Sequence, residues 1–394
     1  MKKRIFAIAC AAVMAASLAA CGSSSSETTA AAGSEAASAA GSEAASDAAQ
    51  KETGAKTSSD SADGKYELAL VTDLGTIDDK SFNQGAWEGL KKYAEENGIT
   101  YKYYQPQEQS TDSYLETIGL AVEGGAKLVV CPGYLFEEPV YLAQEQYPDT
   151  YFILLDGEPH NADYSEYKTG EHVMPILYEE DQAGYLAGYA AVKDGMTKLG
   201  FMGGMAVPAV VKFGYGFVQG ADAAAQEDGV QVEVMYNYTG QFAATPEAQT
   251  MAAGWYKGGT EVVFGCGGAV GNSVMAAAEA EGKKVIGVDV DQSSESDTVV
   301  TSAMKMLANS VYDGISDYYA GTFPGGKTTT FTAANDGVGL PMETSKFEKF
   351  SQEDYDAVYK KLADGEISIT LFSEGNTDPN KDLSLKNTKV TFVE

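Results

Sequence analysis

The sequence predicts an α/β protein with two doubly wound lobes, each built on a parallel sheet and joined to the other by a hinge. Three observations carry this prediction. Short apolar, β-rich runs recur through residues 65–290. Helical periodicity fills the intervals between them, and such alternation is typical of parallel sheets covered on both faces. The length of 394 residues suits two globular units.

The predicted strands are apolar runs bounded by Gly, Pro or Asp: Tyr66–Thr72, Lys127–Val130, Tyr151–Leu155, Lys198–Phe201, Glu261–Phe264 and Lys284–Val288. The predicted helices repeat apolar residues every three to four positions: Ser81–Asn97, Asp181–Val192, Val210–Ala225 and Val270–Glu281. We therefore assign 65–180 to the first lobe and 181–291 to the second. The patchier stretch beyond crosses between them, with part of 292–335 returning to the first lobe and part of 336–394 joining the second.

The first 64 residues are predicted to contain a signal peptide followed by a flexible tether. Residues 1–20 combine the positive start Met1-Lys2-Lys3-Arg4 with an apolar run too short to span a bilayer, as in a signal peptide. The segment Leu18-Ala19-Ala20-Cys21-Gly22 resembles the bacterial lipobox, which implies acylation of Cys21; the alternative is an ordinary signal peptide that contains a cysteine. Residues 21–64, rich in Ser, Ala and Glu, are predicted to be a flexible spacer.

Composition excludes several classes of partner. The chain has 27 Lys plus Arg against 57 Asp plus Glu, a formal charge of −30, and we expect no nucleic-acid binding from so acidic a protein. Two histidines and four cysteines argue against a metal site, and we expect no cofactor. No later run is apolar and long enough to cross a bilayer, so the predicted lipid is the expected membrane attachment.

Ligands of open parallel sheets bind beyond the carboxyl ends of the strands, so candidate residues should follow the strands. After the first strand, Ser81 is a predicted helix N-cap, and Asp78 and Asp79 suit a helix start without any ligand. Neither role accounts for Phe82 and Asn83, which could offer a ring face and an amide to a planar ligand.

In the second lobe, Phe213 near a helix start is the candidate for an exposed ring, whereas Phe217 is predicted to be core. Asp289 ends a buried strand and could accept hydrogen bonds from a ribose diol, with Lys305 orienting it or donating to a hydroxyl. The alternative is an Asp that caps a turn and a solvated Lys.

Cys131 and Cys266 end equivalent strands of the two lobes. They are predicted to be small buried hydrophobes, with a disulfide between the lobes as the alternative. Gly265, Gly267 and Gly271 form a loose dinucleotide-type pattern with Asp289 beyond them, but the spacing departs from G-x-G-x-x-G. A simpler interpretation is that these glycines form a tight turn or let the backbone approach a ligand closely.

Several motifs in matching order resemble the basic membrane protein family, lipoprotein receptors of ABC transporters that are similar to purine nucleoside receptors. The resemblance covers nearly all of 65–340 and is carried by the lipobox, Asp73…Asp78-Asp79-Lys80-Ser81-Phe82-Asn83, Ala183-Gly184-Tyr185-Leu186-Ala187-Gly188, Gly200-Phe201-Met202-Gly203-Gly204-Met205, Phe213-Gly214-Tyr215-Gly216-Phe217 and Gly287-Val288-Asp289-Val290-Asp291-Gln292. It implies a type I periplasmic-binding fold whose lobes close on a ligand.

The resemblance also implies roles for single residues. Phe82 and Phe213 would stack on a base, Asp289 and Lys305 would hold the ribose, and Asn83 would touch base or ribose. Asp73 and Ser81 belong to the same ligand-binding set, and Gly267 or Gly268 would contribute backbone. Where many members have an Asp after the third strand that contacts the base, this chain has Phe136-Glu137-Glu138-Pro139.

The expected function is therefore a lipid-anchored solute-binding protein on the extracytoplasmic side of the cell membrane. It would bind a purine nucleoside as a monomer and deliver it to the permease and ATPase of an ABC importer. Three alternatives stay open: a receptor for another aromatic or sugar-bearing solute such as riboflavin or a pentose, an exported nucleoside-acting or dinucleotide-dependent enzyme, and a sensor that reports ligand occupancy. No Ser-His-Asp, Cys-His or metal-ligand constellation supports an enzyme.

Overall fold

The computed structural model describes residues 64–393, and the predictions for residues 1–20, Cys21 and all but the last residue of the tether lie outside them. The strands, in chain order, are β1 (Leu68–Val71), β2 (Tyr101–Tyr104), β3 (Leu128–Pro132), β4 (Tyr151–Leu155), β5 (Val173–Tyr178), β6 (Lys198–Gly203), β7 (Val232–Tyr238), β8 (Val262–Cys266), β9 (Lys284–Asp289), β10 (Val299–Lys305), β11 (Thr329–Phe331), β12 (Val338–Gly339) and β13 (Thr388–Phe392).

The helices alternate with these strands along most of the chain. In order they are α1 (Phe82–Asn97), α2 (Thr111–Glu123), α3 (Glu137–Gln146), α4 (Glu180–Lys193), α5 (Pro208–Asp228), α6 (Pro246–Lys257), α7 (Val270–Glu281), α8 (Leu307–Ala320), α9 (Gln352–Ala363) and α10 (Pro379–Asp382). Short 3-10 turns lie at Tyr134–Phe136 and Ala333–Asn335.

The strands form two sheets, and this confirms the predicted α/β class. The first sheet has the order β11-β5-β4-β3-β1-β2 and the second has the order β12-β10-β9-β8-β6-β7-β13. All pairs are parallel except β10 with β12, which is antiparallel. The central strands are buried along their whole length, because helices cover both faces of each sheet.

The two sheets repeat one order of strands. Reading from β2 to β5 in the first sheet gives the same succession as reading from β7 to β10 in the second. The end of β4 therefore corresponds to the end of β9, and the end of β5 corresponds to the end of β10. The chain passes between the sheets after β5, after β10 and after β11. That the two halves move about these crossings stays a prediction.

Close contact between α4 and α5 fixes the second half of the molecule. A Cβ added at Gly184 would lie 2.1 Å from the carbonyl oxygen of Phe213, and one added at Gly188 would lie 2.0 Å from that of Phe217. Gly216 and Gly220 on α5 approach the α4 backbone as closely. Only glycine allows two helix backbones to meet at this distance.

Candidate ligand-binding site

A cavity of about 390 Å³ lies between the two sheets at the carboxyl ends of their strands. This is the position in which parallel α/β sheets hold their ligands. Eight of the nine residues predicted to bind ligand line it: Asp73, Phe82, Asn83, Phe213, Gly267, Gly268, Asp289 and Lys305. The ninth, Ser81, contacts the cavity through Asp289. The structure thus brings together residues that are more than 230 positions apart in sequence.

The loop between β1 and α1 holds the first group. Ser81 occupies the predicted N-cap position, but its side chain makes no capping hydrogen bond. The carboxylate of Asp79 accepts instead from the backbone N–H groups of Ser81, Asn83 and Gln84, at 2.9–3.0 Å. The prediction that Ser81 caps the helix was therefore wrong, because the preceding acid reaches the same donors. The Ser81 hydroxyl is left to donate to Asp289 Oδ2 at 2.5 Å.

Asp73 and Asn83 form a polar pair in the cavity wall. Asp73 Oδ1 accepts from the backbone N–H of Gly75 and from Asn83 Nδ2, both at 2.8 Å. Burial raises the pKa of Asp73, although these hydrogen bonds oppose the shift. Asn83 Oδ1 is buried and has no hydrogen-bond partner among the described residues. A buried acceptor of this kind is costly unless something donates to it, so it suits an N–H or O–H of a ligand.

Two phenylalanine rings, one from each half, lie on the same cavity. The ammonium of Lys305 is 4.8 Å from the ring centroid of Phe82 and 5.3 Å from that of Phe213. Phe213 is only 2% exposed, so the prediction of a solvent-exposed ring was wrong. Its edge-to-face contact with Phe264, 5.9 Å between centroids, ties it to the core while it lines the cavity. Phe217 is buried, as predicted.

Lys305 is a buried cation between carboxylates from both halves. It is 3% exposed, and its Nζ lies 2.5 Å from Asp156 Oδ2 and 3.1 Å from Glu180 Oε1. Burial would lower the pKa of Lys305, but Asp156, Glu180 and Asp289 together raise it. The alternative of a solvated lysine is excluded. Burial also raises the pKa of Asp156, to about 7, even though Lys305 pulls it down.

Asp289 ends β9 at the cavity and is 4% exposed. Burial raises its pKa, against the opposing influence of Lys305 and the Ser81 hydroxyl. Gly267 and Gly268, which follow β8, have φ angles of 122° and 52°, in the region that favours glycine. A Cβ at Gly267 would lie 3.1 Å from the ring of Phe242, so that ring packs directly over the turn.

Several residues at or beside the cavity escaped the sequence prediction, among them Asp156, Glu180 and Phe242. Asp156 directly follows a correctly predicted strand, and the same signal that marked Asp289 would have found it. Glu180 precedes a predicted helix and had the appearance of an ordinary acidic helix start. Phe242 lies in the loop after β7 and carries no local signal.

The acids after the third strand of the first sheet face away from the cavity. Glu137 is buried and accepts from the backbone N–H of Glu158 at 2.8 Å, and its other oxygen is 3.0 Å from His160 Nε2. Burial raises the pKa of Glu137, while the contact with His160 opposes the shift. Neither Glu137 nor Glu138 lines the cavity.

Other expectations concern thiols, metals and membranes. Cys131 and Cys266 are free and buried, which confirms their prediction as small hydrophobes and excludes the interlobe disulfide. Between residues 64 and 393 no group of three or more His, Cys, Asp or Glu side chains is arranged to hold a metal ion. In the same range, no helix has the length and apolarity needed to cross a bilayer.

Comparison with known proteins identifies the family. The model of the family described as ABC transporter substrate-binding protein PnrA-like, abbreviated Bmp, matches residues 66–371, which is most of the chain. The chain belongs to this family. The resemblance seen in the sequence motifs is thereby confirmed, and the molecule is an ABC transporter substrate-binding protein of the Bmp family.

Two relatives illustrate the match. The ABC transporter nucleoside-binding protein BmpA of Lactococcus lactis subsp. cremoris (strain MG1363) is 31% identical over 329 residues, covering 77% of this chain and 88% of that protein. The CD4+ T-cell-stimulating antigen of Listeria innocua serovar 6a is 29% identical over 392 residues, covering 94% and 99%.

Solved structures confirm the type I periplasmic-binding fold. An ABC transporter solute-binding protein from Aeropyrum pernix K1 aligns with a TM-score of 0.68 at 23% identity, covering 79% of this chain and 94% of that one. One from Conexibacter woesei DSM 14684 aligns with a TM-score of 0.62 at 24% identity, covering 78% and 100%. At this level of identity the likeness concerns the fold.

Proposed function

We propose that this substrate-binding protein binds a nucleoside, with purine nucleosides as the first candidates. The observation that carries the proposal is the convergence of two aromatic rings with a buried acid and a buried lysine on one cavity. Phe82 and Phe213 would sandwich the base, and Asp289 with Lys305 would hold the ribose hydroxyls. The Lactococcus relative described as nucleoside-binding supports this choice.

Stacking supplies affinity with little discrimination between bases. Each base–aromatic contact contributes roughly 1–3 kcal/mol in single-stranded nucleic-acid sites. Because the rings come from different halves of the molecule, both contacts exist only when the halves are together. A ligand that needs both rings therefore shifts the population toward the closed arrangement.

The acid and the lysine supply specificity for the sugar. Asp289 is held by the Ser81 hydroxyl at 2.5 Å and retains acceptor capacity for ligand hydroxyls. A site built to accept hydrogen bonds from a diol rejects analogues without it, because a buried polar group is then left unpaired. Asn83 Oδ1 and Asp156 Oδ1, both buried and unpartnered among the described residues, offer two further acceptors.

Titration calorimetry with a panel of solutes tests the proposal. We expect saturable binding of purine ribonucleosides, much weaker binding of their deoxy analogues, and none of free ribose or riboflavin. Preference for riboflavin or a pentose would contradict it. Incubation with inosine gives a second check, because the release of free hypoxanthine would indicate an enzyme instead of a receptor.

Two variants connect that binding to the named residues. Phe82→Ala and Asp289→Ala should each abolish measurable nucleoside binding, since one removes a stacking face and the other the sugar acceptor. The unfolding temperature of the ligand-free protein should change little. Asp291→Ala is the matched control, because Asp291 is two residues from Asp289 but lies outside the cavity lining. Wild-type affinity in Asp289→Ala would refute the sugar clamp.

We infer further that the mature protein is anchored by lipid at Cys21, faces the extracytoplasmic side as a monomer, and hands its ligand to an ABC permease and ATPase. The lipobox-like segment before Cys21 supports the anchor, and family membership supports the transporter partners. Cys21→Ser should move the protein from the detergent phase to the aqueous phase in Triton X-114 partition, because acyl chains supply the membrane affinity. Unchanged partition of the variant would count against the anchor.

A further inference from the structure

We propose that Glu180 is a positioning residue: it sets the direction of the Lys305 ammonium toward the ligand without touching the ligand itself. Glu180 begins α4, is 2% exposed and does not line the cavity. The inference rests on the proposed function, in which Lys305 donates to a ribose hydroxyl, and it extends that function to a residue behind the cavity wall.

The geometry at Lys305 leaves one donor for a ligand. An ammonium group carries three N–H bonds. One N–H donates to Asp156 Oδ2 at 2.5 Å, and the same ammonium forms an ion pair with Glu180 Oε1 at 3.1 Å. Asp156 belongs to the first sheet and Glu180 to the helix that packs on the second. The ammonium is therefore held from two sides, and an N–H bond remains for a ligand on the cavity side.

Glu180 is itself held in place by a second lysine. Its other oxygen, Oε2, is 3.2 Å from Lys212 Nζ, and the same ammonium donates to the carbonyl oxygen of Tyr178 at 3.3 Å. Burial alone would raise the pKa of Glu180, but Lys305 and Lys212 hold it below its usual value. The carboxylate is therefore a charged bridge between two lysines, and its orientation is not free.

A neutral side chain of the same shape could not make this bridge. In Glu180→Gln the amide keeps one acceptor oxygen and turns an NH₂ group toward one of the two ammonium groups. The amide NH₂ group would then face a lysine ammonium group in a buried place, where a charge without a partner is costly. Lys305 would keep its ion pair with Asp156 and move toward the first sheet, away from the proposed ribose position.

Binding of inosine and of 2′,3′-dideoxyinosine, measured by calorimetry, separates positioning from general damage. Glu180→Gln should weaken inosine binding roughly ten- to a hundredfold, the size expected for one hydrogen bond to a charged group. The dideoxy analogue should lose far less, because it lacks the 2′- and 3′-hydroxyls to which Lys305 is proposed to donate. Equal loss for both ligands, or no loss for inosine, would overturn the inference.

Asp181→Asn is the matched control variant. Asp181 is the next residue of α4, is 5% exposed, and has no ion pair with Lys305. It should keep the wild-type ratio between the two ligands. A fall of that ratio in Asp181→Asn as well would show that replacing either acid of this turn has the effect, and would contradict a specific role of Glu180.

A measurement without ligand keeps this inference distinct from the proposed function. Buried, ion-paired lysine ammonium groups can be observed directly by proton–nitrogen NMR, and the Lys305 signal can be assigned with Lys305→Met. Glu180→Gln should shift that signal or broaden it, whereas Asp181→Asn should leave it. If wild-type protein binds no nucleoside, the proposed function fails, and an unmoved Lys305 signal in Glu180→Gln would separately refute the positioning role.

Discussion

Two aspartates at strand ends adopt a backbone conformation that few residues other than glycine adopt. Asp156 has a φ of 58° and Asp289 has a φ of 67°. They follow equivalent strands, β4 and β9, in the repeated order of the two sheets. Strained positions of this kind persist where the surrounding contacts demand them, and they concentrate at ligand sites. Both carboxylates act on the same buried ammonium, that of Lys305.

A third acid, Asp181, should make stability depend on pH. Burial, reinforced by the neighbouring Glu179, raises the pKa of Asp181 from 3.8 to about 8. The folded protein therefore retains a proton on this group where the unfolded chain has lost it, so the free energy of unfolding falls as pH rises from 3.8 to about 8. Above that range the effect is complete.

Asp181→Asn should flatten this dependence, because the amide cannot ionise. Unfolding temperatures measured at intervals from pH 5 to 8 should decline less in the variant than in the wild type, and the two proteins should differ most at the alkaline end. A decline of equal slope in both proteins would show that other buried acids, such as Asp156, dominate the pH dependence.

At the residue scale, sequence patterns identified several residues of the cavity and missed some of the residues that contact them. Phe82, Phe213 and Asp289 follow predicted strands or start predicted helices, and the structure places all three on the cavity. Asp156 has the same local signature as Asp289, since each comes at the end of an apolar strand, but it was not among the predicted residues. That Ser81 contacts Asp289 could not be predicted, because the pair is 208 residues apart and comes from different sheets.

At the scale of elements, the position of Phe213 depends on how closely α5 approaches α4. Gly184 on α4 meets the backbone of Phe213 itself, so the ring is set by a helix contact instead of a loop. Gly184→Ala should lower the free energy of unfolding by about 1–3 kcal/mol, the usual cost of overpacking, and should weaken ligand binding.

Gly254→Ala provides the comparison for Gly184→Ala. Gly254 lies in α6, and a Cβ there would meet nothing within 4 Å. Alanine should stabilise that helix by up to about 1 kcal/mol and leave ligand affinity unchanged. Chemical denaturation and calorimetry on both variants check the pair. A Gly184→Ala protein as stable as the wild type would mean that the helices separate at no cost.

Sequence patterns predicted six of the strands and missed β5, an apolar run that contains Pro175. β4 and α7 have the predicted bounds, and the other predicted strands and helices differ at their ends by a few residues. β2 was missed because it alternates tyrosines with a lysine, and β10 because Thr301 and Ser302 interrupt its apolar residues, so no continuous apolar run marks either strand. β13 gains its partner β7 from a region more than 150 residues away, which no local pattern can show.

At the scale of the whole molecule, the cavity contacts require the two sheets to be held together. Asp156 with Lys305, and Ser81 with Asp289, each join one sheet to the other. Gln292 adds a third link, donating to the carbonyl oxygen of Lys80 at 2.6 Å. The Lys80–Glu295 ion pair is a fourth link. Because water can replace polar links of this kind, we expect the ligand-free protein to open.

Small-angle X-ray scattering tests this expectation. Addition of a saturating purine nucleoside should decrease the radius of gyration of the wild type, since the ligand stabilises the closed arrangement. Phe82→Ala, which should not bind, serves as the control and should show no decrease. An identical radius with and without ligand, in a wild type shown to bind by calorimetry, would contradict closure.

The repeated strand order bears on the direction in which a ligand binds. A cleft whose two walls were true copies of each other would admit a flat molecule equally well in either direction. The two sheets differ at one pair of equivalent strand ends: β5 ends in Tyr178, and its counterpart β10 ends in Lys305. Among the described residues that line the cavity, Lys305 is the one cation, so we expect a ligand with one polar end to bind in one preferred direction.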